Sequence, residues 1–417
     1  MVAPWARISS AAAVGSLLAL AAQGLLGLVL LRSFDAGAAG LFSVLAQLAF
    51  FWSTLALAQS PLSLLAEREQ PVHAAARAAW HTSLWRWLGL MPLVLVGWWW
   101  AQPGTAGMDT GGAAMSLGMG LLWLVLLSLS QQGWYLAQSL VLRTRGPGSV
   151  ATVRLLPPLL ALLGVLAALA WPVPGLRNAE VLLGAAVLGF AAGALWLAPA
   201  LQATPAAHPD PVQDETRRPD TTVSGDDRPL LLKTLHTLSD VGLLTVLAVH
   251  WQAQHGSGAA GHLLILLRLA GFVPALVHAA WSQVALARNV HTRARALSAA
   301  LLGWTALALL GLGLLIADRA ALLGPGWQGL SALALPVLVW QAAATALATL
   351  AHRPLQTGQA RAWSWANIGL NLWLLGWVLL PQVSATQHLQ WLGYSAAAGQ
   401  ALLVLWLLRL PRQQPSR

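Results

Sequence analysis

Residues 37–66 read GAAGLFSVLAQLAFFWSTLALAQSPLSLLA, and residues 258–287 read GAAGHLLILLRLAGFVPALVHAAWSQVALA. The two stretches align without a gap at an offset of 221 residues, with 12 identities in 30 positions. Alanine and leucine matches carry little weight in so apolar a chain. The repeat therefore rests on the two GAAG starts, on Phe51 against Phe272, and on the shared Leu-Ala end. Repeated halves are usual in membrane transporters, which place the substrate site between the halves near the bilayer midplane.

The composition is that of a polytopic helical membrane protein. Hydrophobic residues make up 57% of the 417 residues and charged residues 9%, whereas a soluble domain has about 25% charged residues. Because about 20 apolar residues span a bilayer as a helix, the sequence predicts an all-α protein with twelve transmembrane helices, six in each half. The predicted spans are 8–31, 37–65, 81–101, 113–142, 149–172, 179–202, 229–251, 259–287, 296–317, 324–351, 361–380 and 388–410.

The positive charges predict the topology. With twelve spans, 19 Lys and Arg residues fall on the side that carries both termini, and only Arg32, Arg177 and Arg319 fall on the other. By the positive-inside rule both termini are therefore cytoplasmic. The net charge of +10 does not indicate nucleic acid, since no basic patch interleaved with aromatics lies on a soluble domain.

The only long polar segment divides the chain. Residues 203–228 contain six of the 13 acidic residues and show no apolar periodicity, which predicts a disordered cytoplasmic linker between lobes at 1–202 and 229–417. Since each lobe has an even number of spans, the repeats would be parallel. The chain has no P-loop, no cysteine and no large polar loop that could carry catalytic groups, so an enzyme is not expected.

Two segments resemble a known group of transporters. Residues 30–48, LLRSFDAGAAGLFSVLAQL, and residues 258–277 are similar to the starts of spans 2 and 8 in polysaccharide (O-antigen type) flippases. These belong to the multidrug/oligosaccharidyl-lipid/polysaccharide exporter superfamily. The resemblance implies a V of two six-helix lobes around a central cavity and transport by alternating access in a bacterial inner membrane. It implies no cofactor, and leaves Na⁺ or H⁺ coupling open.

The resemblance also implies partners. The cargo would be a polyprenyl-diphosphate-linked oligosaccharide moving among membrane lipids, with a polysaccharide polymerase and glycosyltransferases as candidate neighbours. A cation-coupled multidrug extruder of the same superfamily, or a non-transporting scaffold in polysaccharide assembly, remains an alternative.

One acidic residue is predicted deep in the bilayer. Asp240 lies about 11 residues, or about 16 Å, inside span 7, and Asn371 lies about 15 Å inside span 11, with Asn367 one turn shallower. Intramembrane carboxylates are costly and usually functional. The resemblance to lipid II flippases, which have a sodium site between spans 7 and 11, makes these three residues candidates for a monovalent cation or proton. The alternative is a protonated Asp240 bonded to a neighbouring helix.

Other polar residues are candidates for lining a substrate cavity. Arg268, opposite Gln47 in the repeat, could attract phosphates, pair with Asp240 or extend to the membrane surface. His278 lies near the midplane and could bind a ligand or a neighbouring helix. Glutamines on four spans could line an oligosaccharide cavity or join helices: Gln23, Gln47, Gln59, Gln131, Gln132 and Gln341.

Tryptophans at span ends are predicted to anchor in the headgroup zone. They are Trp98, Trp99, Trp100, Trp171, Trp251, Trp327 and Trp391. Trp281, Trp340 and Trp373 lie deeper, where they would either pack or stack on sugars.

Overall fold

The computed structural model describes residues 4–58, 60–66, 70–102, 115–145, 147–171, 178–202, 228–278, 281, 293–324, 326–380 and 383–410. Within these ranges the regular structure is helical throughout. The helices are α1 (Pro4–Ser33), α2 (Ala36–Leu57), α3 (Ser60–Ala66), α4 (Val72–Trp100), α5 (Leu117–Thr144), α6 (Pro147–Ala170), α7 (Ala179–Ala194), α8 (Ala198–Gln202), α9 (Arg228–Val277), α10 (Arg293–Arg319), α11 (Leu330–Ala348), α12 (Arg353–Gln356), α13 (Ala360–Val378) and α14 (Ala385–Arg409).

Each of the twelve predicted spans contains a helix, and seven stretches of the described residues are long and apolar enough to cross a membrane. The seven are Ala36–Leu57, Ser149–Ala170, Ala179–Gln202, Leu231–Val277, Ala294–Arg319, Leu330–Gln356 and Ala385–Arg409. Helix α13 is not among them, and it carries two asparagines and four tryptophans. The count of twelve spans stays a prediction. The predicted linker also remains untested, because only Arg228, where α9 begins, falls within the described residues.

Both repeats begin with a break in the helix. Gly256 divides α9 into α9a (228–255) and α9b (257–277), since its φ of 81° and ψ of 170° are non-helical and its φ lies in the region that glycine adopts freely. The equivalent residue of the first repeat is Asp35, whose Oδ2 accepts a hydrogen bond from Gly37 N at 2.7 Å and caps α2. A break in the helix thus precedes each GAAG motif. It is formed by the backbone conformation of Gly256 in the second repeat and by the capping side chain of Asp35 in the first.

The helices pack in two sets. Taken together, helices α1 to α8 contact mainly one another, as do α9 to α14, although α9 contacts α2 more extensively than any helix of its own set; the two sets are called the first and second halves below. The most extensive contact between the halves joins α2 to α9, with smaller contacts from α1 and α4 to α9.

Two glycines allow α2 and α9b to cross at backbone contact. A Cβ atom on Gly40 would lie 1.9 Å from the carbonyl oxygen of Ser257, and one on Gly261 would lie 2.1 Å from that of Ala36. Gly40 and Gly261 are equivalent in the repeat, as are Ala36 and Ser257. The contact is therefore reciprocal, as in pairs related by a two-fold axis, and small residues four apart are typical of close helix crossings in membranes.

The end of the molecule near this crossing, called the crossing end, holds two further contacts between the halves, whose acceptors are equivalent in the repeat. Arg32 Nη1 donates to the carbonyl of Leu322 at 3.0 Å, and Gln252 Nε2 donates to the carbonyl of Ala101 at 3.0 Å. Leu322 and Ala101 are again 221 residues apart. A side chain of α1 in the first half thus bonds to the residues that follow α10, and a side chain of α9a in the second half bonds to the residue that follows α4.

The opposite end, called the basic end, has arginines that bind backbone carbonyls, two of them (Leu64 and Leu410) at the C-terminal ends of helices. Arg143 donates to the carbonyls of Leu64 at 2.9 Å and Gln70 at 2.7 Å, while Arg353 donates to that of Leu410 at 2.7 Å. Cations at helix C-termini satisfy carbonyls that have no partner in the helix and complement the helix dipole.

The prediction of headgroup anchoring is wrong for Trp98, Trp251 and Trp327. Each is at most 1% exposed, and the indole N–H groups donate to the carbonyls of Leu117, Ala259 and Phe34, respectively. A buried indole needs such an acceptor, and backbone oxygens close to helix ends provide it. Trp99 and Trp171 are exposed, as an anchor would be.

Candidate functional site

A cavity of about 540 Å³ lies between the two halves. Its wall combines α1, α2, α5, α6 and α7 with α9a, α9b and α11. On α2 the lining runs from Phe42 to Phe50, which is about 9 to 21 Å from the start of that helix. The cavity therefore occupies the middle of the helix bundle, and the Gly40 and Gly261 crossing lies between it and the crossing end.

The structure brings most of the predicted cavity residues together. Gln23, Gln47, Gln131, Gln341 and Arg268 all line this cavity although they come from five different helical segments. His278 is exposed and does not line it. Gln59 lies outside the described residues.

Two of the glutamine side chains in the cavity are hydrogen-bonded to the protein, and two are not. Gln47 Nε2 donates to Thr245 Oγ1 at 3.2 Å across the two halves, and Gln131 Oε1 accepts from Ser53 Oγ at 3.1 Å. The side-chain amides of Gln23 and Gln341 have no hydrogen-bond partner within the described residues. Their amides can both donate to and accept from the hydroxyl groups of a guest.

Arg268 gives the cavity its charge. Its guanidinium lies 5.7 Å from the centre of the Phe42 ring, which is a cation–π distance. Within the described residues it has no hydrogen bond or ion pair, and none of the acidic residues lines the cavity. The predicted alternative of pairing with Asp240 is therefore not present in this conformation. A guanidinium without a counter-ion in a partly enclosed space attracts anions.

A separate polar cluster joins α9a to α13. Asn371 Nδ2 donates to Asp240 Oδ1 at 2.6 Å and to Ser239 Oγ at 3.0 Å, and His236 Nε2 lies 3.4 Å from Asp240 Oδ2. The Asp240 side chain is 54% exposed. Carboxylate, hydroxyl and amide oxygens are suitable ligands for a hard cation.

Asn367 is not part of that cluster. Its Nδ2 donates to the carbonyl of Trp363 at 2.8 Å, one turn back on the same helix. The structure thus brings two of the three predicted coupling residues together. Among the described residues, no group of three or more His, Asp or Glu side chains is placed to hold a metal ion.

The sequence interpretation missed Ser43 and Tyr135, which also line the cavity. Ser43 precedes Gln47 by four residues on α2, and Tyr135 follows Gln131 by four residues on α5. Side chains four apart share a helix face, so this spacing could have identified both. Gln131 and Gln132 are neighbours in sequence, so their side chains leave the helix in different directions. The amide of Gln132 is buried, does not line the cavity and has no hydrogen-bond partner.

No protein-family model and no curated protein sequence matches the chain. A solved structure of the lipid II flippase MurJ in an inward closed conformation aligns over 96% of this chain and 88% of that chain, with a TM-score of 0.63 and 9% sequence identity. An inward-facing MATE-family multidrug resistance transporter of the MOP superfamily aligns over 96% and 93%, with a TM-score of 0.45 and 12% identity. The all-helical fold of this chain is therefore similar to that of the lipid II flippase MurJ.

Proposed function

We propose that the protein is a flippase for a polyprenyl-diphosphate-linked oligosaccharide in a bacterial inner membrane. The observation that carries this proposal is the cavity between the halves, where the unpaired cation of Arg268 lies among glutamine amides from both halves. The similarity of fold to a lipid II flippase supports it. The choice of an O-antigen type glycan rests on the sequence resemblance alone.

The chemistry of the cavity suits the headgroup of such a lipid. A guanidinium binds phosphate oxygens through paired N–H groups. The free amides of Gln23 and Gln341 match sugar hydroxyls in polarity, and the ring of the half-buried Trp134 in the cavity wall suits the apolar face of a sugar ring. The cavity thus offers each part of the headgroup a complementary group.

Transport would proceed by alternating access of two six-helix lobes, residues 1–202 and 229–417, joined by the linker 203–228. In this conformation the crossing of α2 and α9b lies between the cavity and the crossing end. Rocking of the lobes would open the crossing end and the basic end in turn. The cluster of Asp240 and Asn371 lies on α9a and α13, where binding of Na⁺ or H⁺ could be coupled to this motion.

A cation-coupled drug extruder is the second candidate, and the contact between Asp240 and Asn371 is the observation that favours it. Such a protein would be expected to offer a carboxylate to cationic drugs, whereas the cavity has an arginine and no acid among its lining residues. A scaffold without transport would not need free polar side chains around a cavity of this size.

The test is to substitute Arg268 and measure both lipid binding and transport. Arg268→Gln should weaken binding of polyprenyl diphosphate about 10- to 100-fold, because a hydrogen bond to a charged group contributes about 1.5–3 kcal/mol. It should also fail to complement a flippase deletion, whereas Arg268→Lys should retain part of both activities. The matched control is Arg361→Gln, which removes an exposed cation at the basic end. Unchanged binding by Arg268→Gln would refute the proposal.

A further inference from the structure

A second space, called the lateral groove below, lies on the other side of α2. It measures about 340 Å³ and is formed by α2 and α4 of the first half and by α9a and α13 of the second. Apart from the indole N–H of Trp100, only Ser239, Thr245 and Asn371 among its lining residues have polar side-chain groups. The groove therefore lies between the halves, as the central cavity does, but with an almost wholly apolar surface.

The three polar residues of the groove are already bonded to the protein. Thr245 Oγ1 donates to the carbonyl of Val241 at 2.8 Å and accepts from Gln47, and Ser239 Oγ donates to the carbonyl of His236 at 2.8 Å. Asn371 donates to both Ser239 and Asp240. Water in the groove would find few partners, whereas hydrocarbon needs none.

The length of the groove is compatible with the layer of lipid chains. Along α9a its lining runs from Leu238 to Val249, about 16 Å at the helical rise, which fits within a hydrocarbon layer of about 30 Å. Leu93, Val96 and Leu372 line it while remaining exposed on the molecular surface. The groove is therefore open toward the membrane.

Only the contact between α2 and α9a separates the groove from the central cavity. On α2, Gln47 lines the cavity and the next residue, Leu48, lines the groove. On α9a, Leu244 lines the cavity and Thr245 lines the groove. The hydrogen bond from Gln47 to Thr245 joins the two helices at this wall.

From this arrangement we propose that, once motion of the halves parts α2 from α9a, the lateral groove binds the polyprenyl chain of the transported lipid while the headgroup occupies the central cavity. The inference rests on the proposed function, because a lipid that is flipped must keep its chain in hydrocarbon while its headgroup crosses. The groove is an apolar surface that adjoins the wall of the cavity. It lies between the halves, so its walls belong to the parts that move relative to each other.

Gly242 offers a way to fill the groove without disturbing the packing. It lines the groove, and a Cβ atom at this position would meet no atom within 4 Å. Gly242→Leu should therefore place its side chain in the groove and, by helix propensity, stabilise α9 by up to about 1 kcal/mol. The matched control is Gly369→Leu on α13, where a Cβ would also be unobstructed but the residue is exposed and outside the groove lining. Val246→Phe, at another lining position, is a second filling variant.

The measurement is photo-crosslinking of polyprenyl diphosphate that carries a diazirine in its chain, with the protein in nanodiscs and the sites mapped by mass spectrometry. We expect labelling of residues 93–100, 238–249 and 371–375 in the unmodified protein and in Gly369→Leu. We expect at least a tenfold loss of this labelling in Gly242→Leu and in Val246→Phe. Excess unlabelled polyprenyl diphosphate should remove the label, and excess phosphatidylglycerol should not.

Two outcomes would overturn the inference. The first is labelling that persists in both filling variants, and the second is equal displacement by phosphatidylglycerol, which would identify the occupant as bulk lipid. Arg268→Gln in the same assay separates this inference from the proposed function. If Arg268→Gln loses binding while both filling variants bind and label normally, the flippase proposal stands and the groove is not the chain site. If Arg268→Gln binds normally, the proposed headgroup site fails.

Discussion

At the scale of single residues, Asp240 is held in a way that an asparagine would largely preserve. Its Oδ1 accepts from Asn371, and the side-chain oxygen of an asparagine can accept the same bond. Asp240→Asn should therefore leave the protein folded but unable to bind a coupling cation or proton. We expect complementation of a flippase deletion to be lost while thermal stability in detergent stays close to that of the unmodified protein. Full transport by a stable variant would instead indicate flipping driven by the substrate gradient.

Asp318 provides the matched control for that substitution, because its carboxylate has a structural role. It accepts hydrogen bonds from Gly329 N at 3.1 Å and from Ser331 N at 3.1 Å, at the start of α11, and from Ser331 Oγ at 2.6 Å. Asp318→Ala should lower stability by about 0.5–2 kcal/mol, as for the loss of a helix cap, and should leave transport intact. Loss of transport by a folded Asp318→Ala protein would show that complementation does not distinguish the two acids.

At the scale of helices, the crossing of α2 and α9b has no space for a methyl group. Gly40→Ala and Gly261→Ala should each destabilise the protein by about 1–3 kcal/mol, the usual range for overpacking, because the obstructing atoms are backbone oxygens that cannot rotate away. Gly258→Ala in the same GAAG motif should be neutral or stabilising, since a Cβ there meets nothing within 4 Å. Thermal unfolding in detergent would measure all three, and equal stability of the three variants would contradict the crossing.

The sequence predicted the helices and their polar faces better than it predicted which residues contact each other between helices. Apolar runs locate helices because burial in a membrane requires them, and the glutamines marked the cavity because few polar side chains occur in these helices. The pattern could not show that Asn371 reaches Asp240 while Asn367, one turn away, bonds its own helix. It could not show which surface each GAAG motif contacts. Such pairings depend on the distance and rotation between two helices, which composition does not encode.

At the scale of the whole molecule, the twelve-span topology predicts where each loop lies. Alkaline phosphatase fused after Gly107 should be active, because that loop is expected outside the cytoplasm, whereas fusion after Gly225 in the linker should be inactive. Both positions fall outside the described residues. The reverse pattern of activities would invert the topology.

The reciprocal relation of the halves makes a further prediction about the cavity. Gln47 and Arg268 are equivalent in the repeat and line the same space. The double variant Gln47→Arg with Arg268→Gln should therefore return a cation to the cavity and recover part of the lipid binding that Arg268→Gln loses. Binding of polyprenyl diphosphate by the single and double variants would measure this. No recovery would mean that the cavity depends on the particular position of Arg268 and not on its charge alone.

The contact between Gly40 and Gly261 also has a mechanical consequence, because it lies at one end of long helices. Helix α9a, residues 228–255, extends about 40 Å from the crossing end. If α9a rotated by about 10° about this contact, its far end would move by about 7 Å and its midpoint by about 3.5 Å. A small tilt at two glycines would thus change the width of the basic end by several ångströms, while the helices within each half keep their own neighbours.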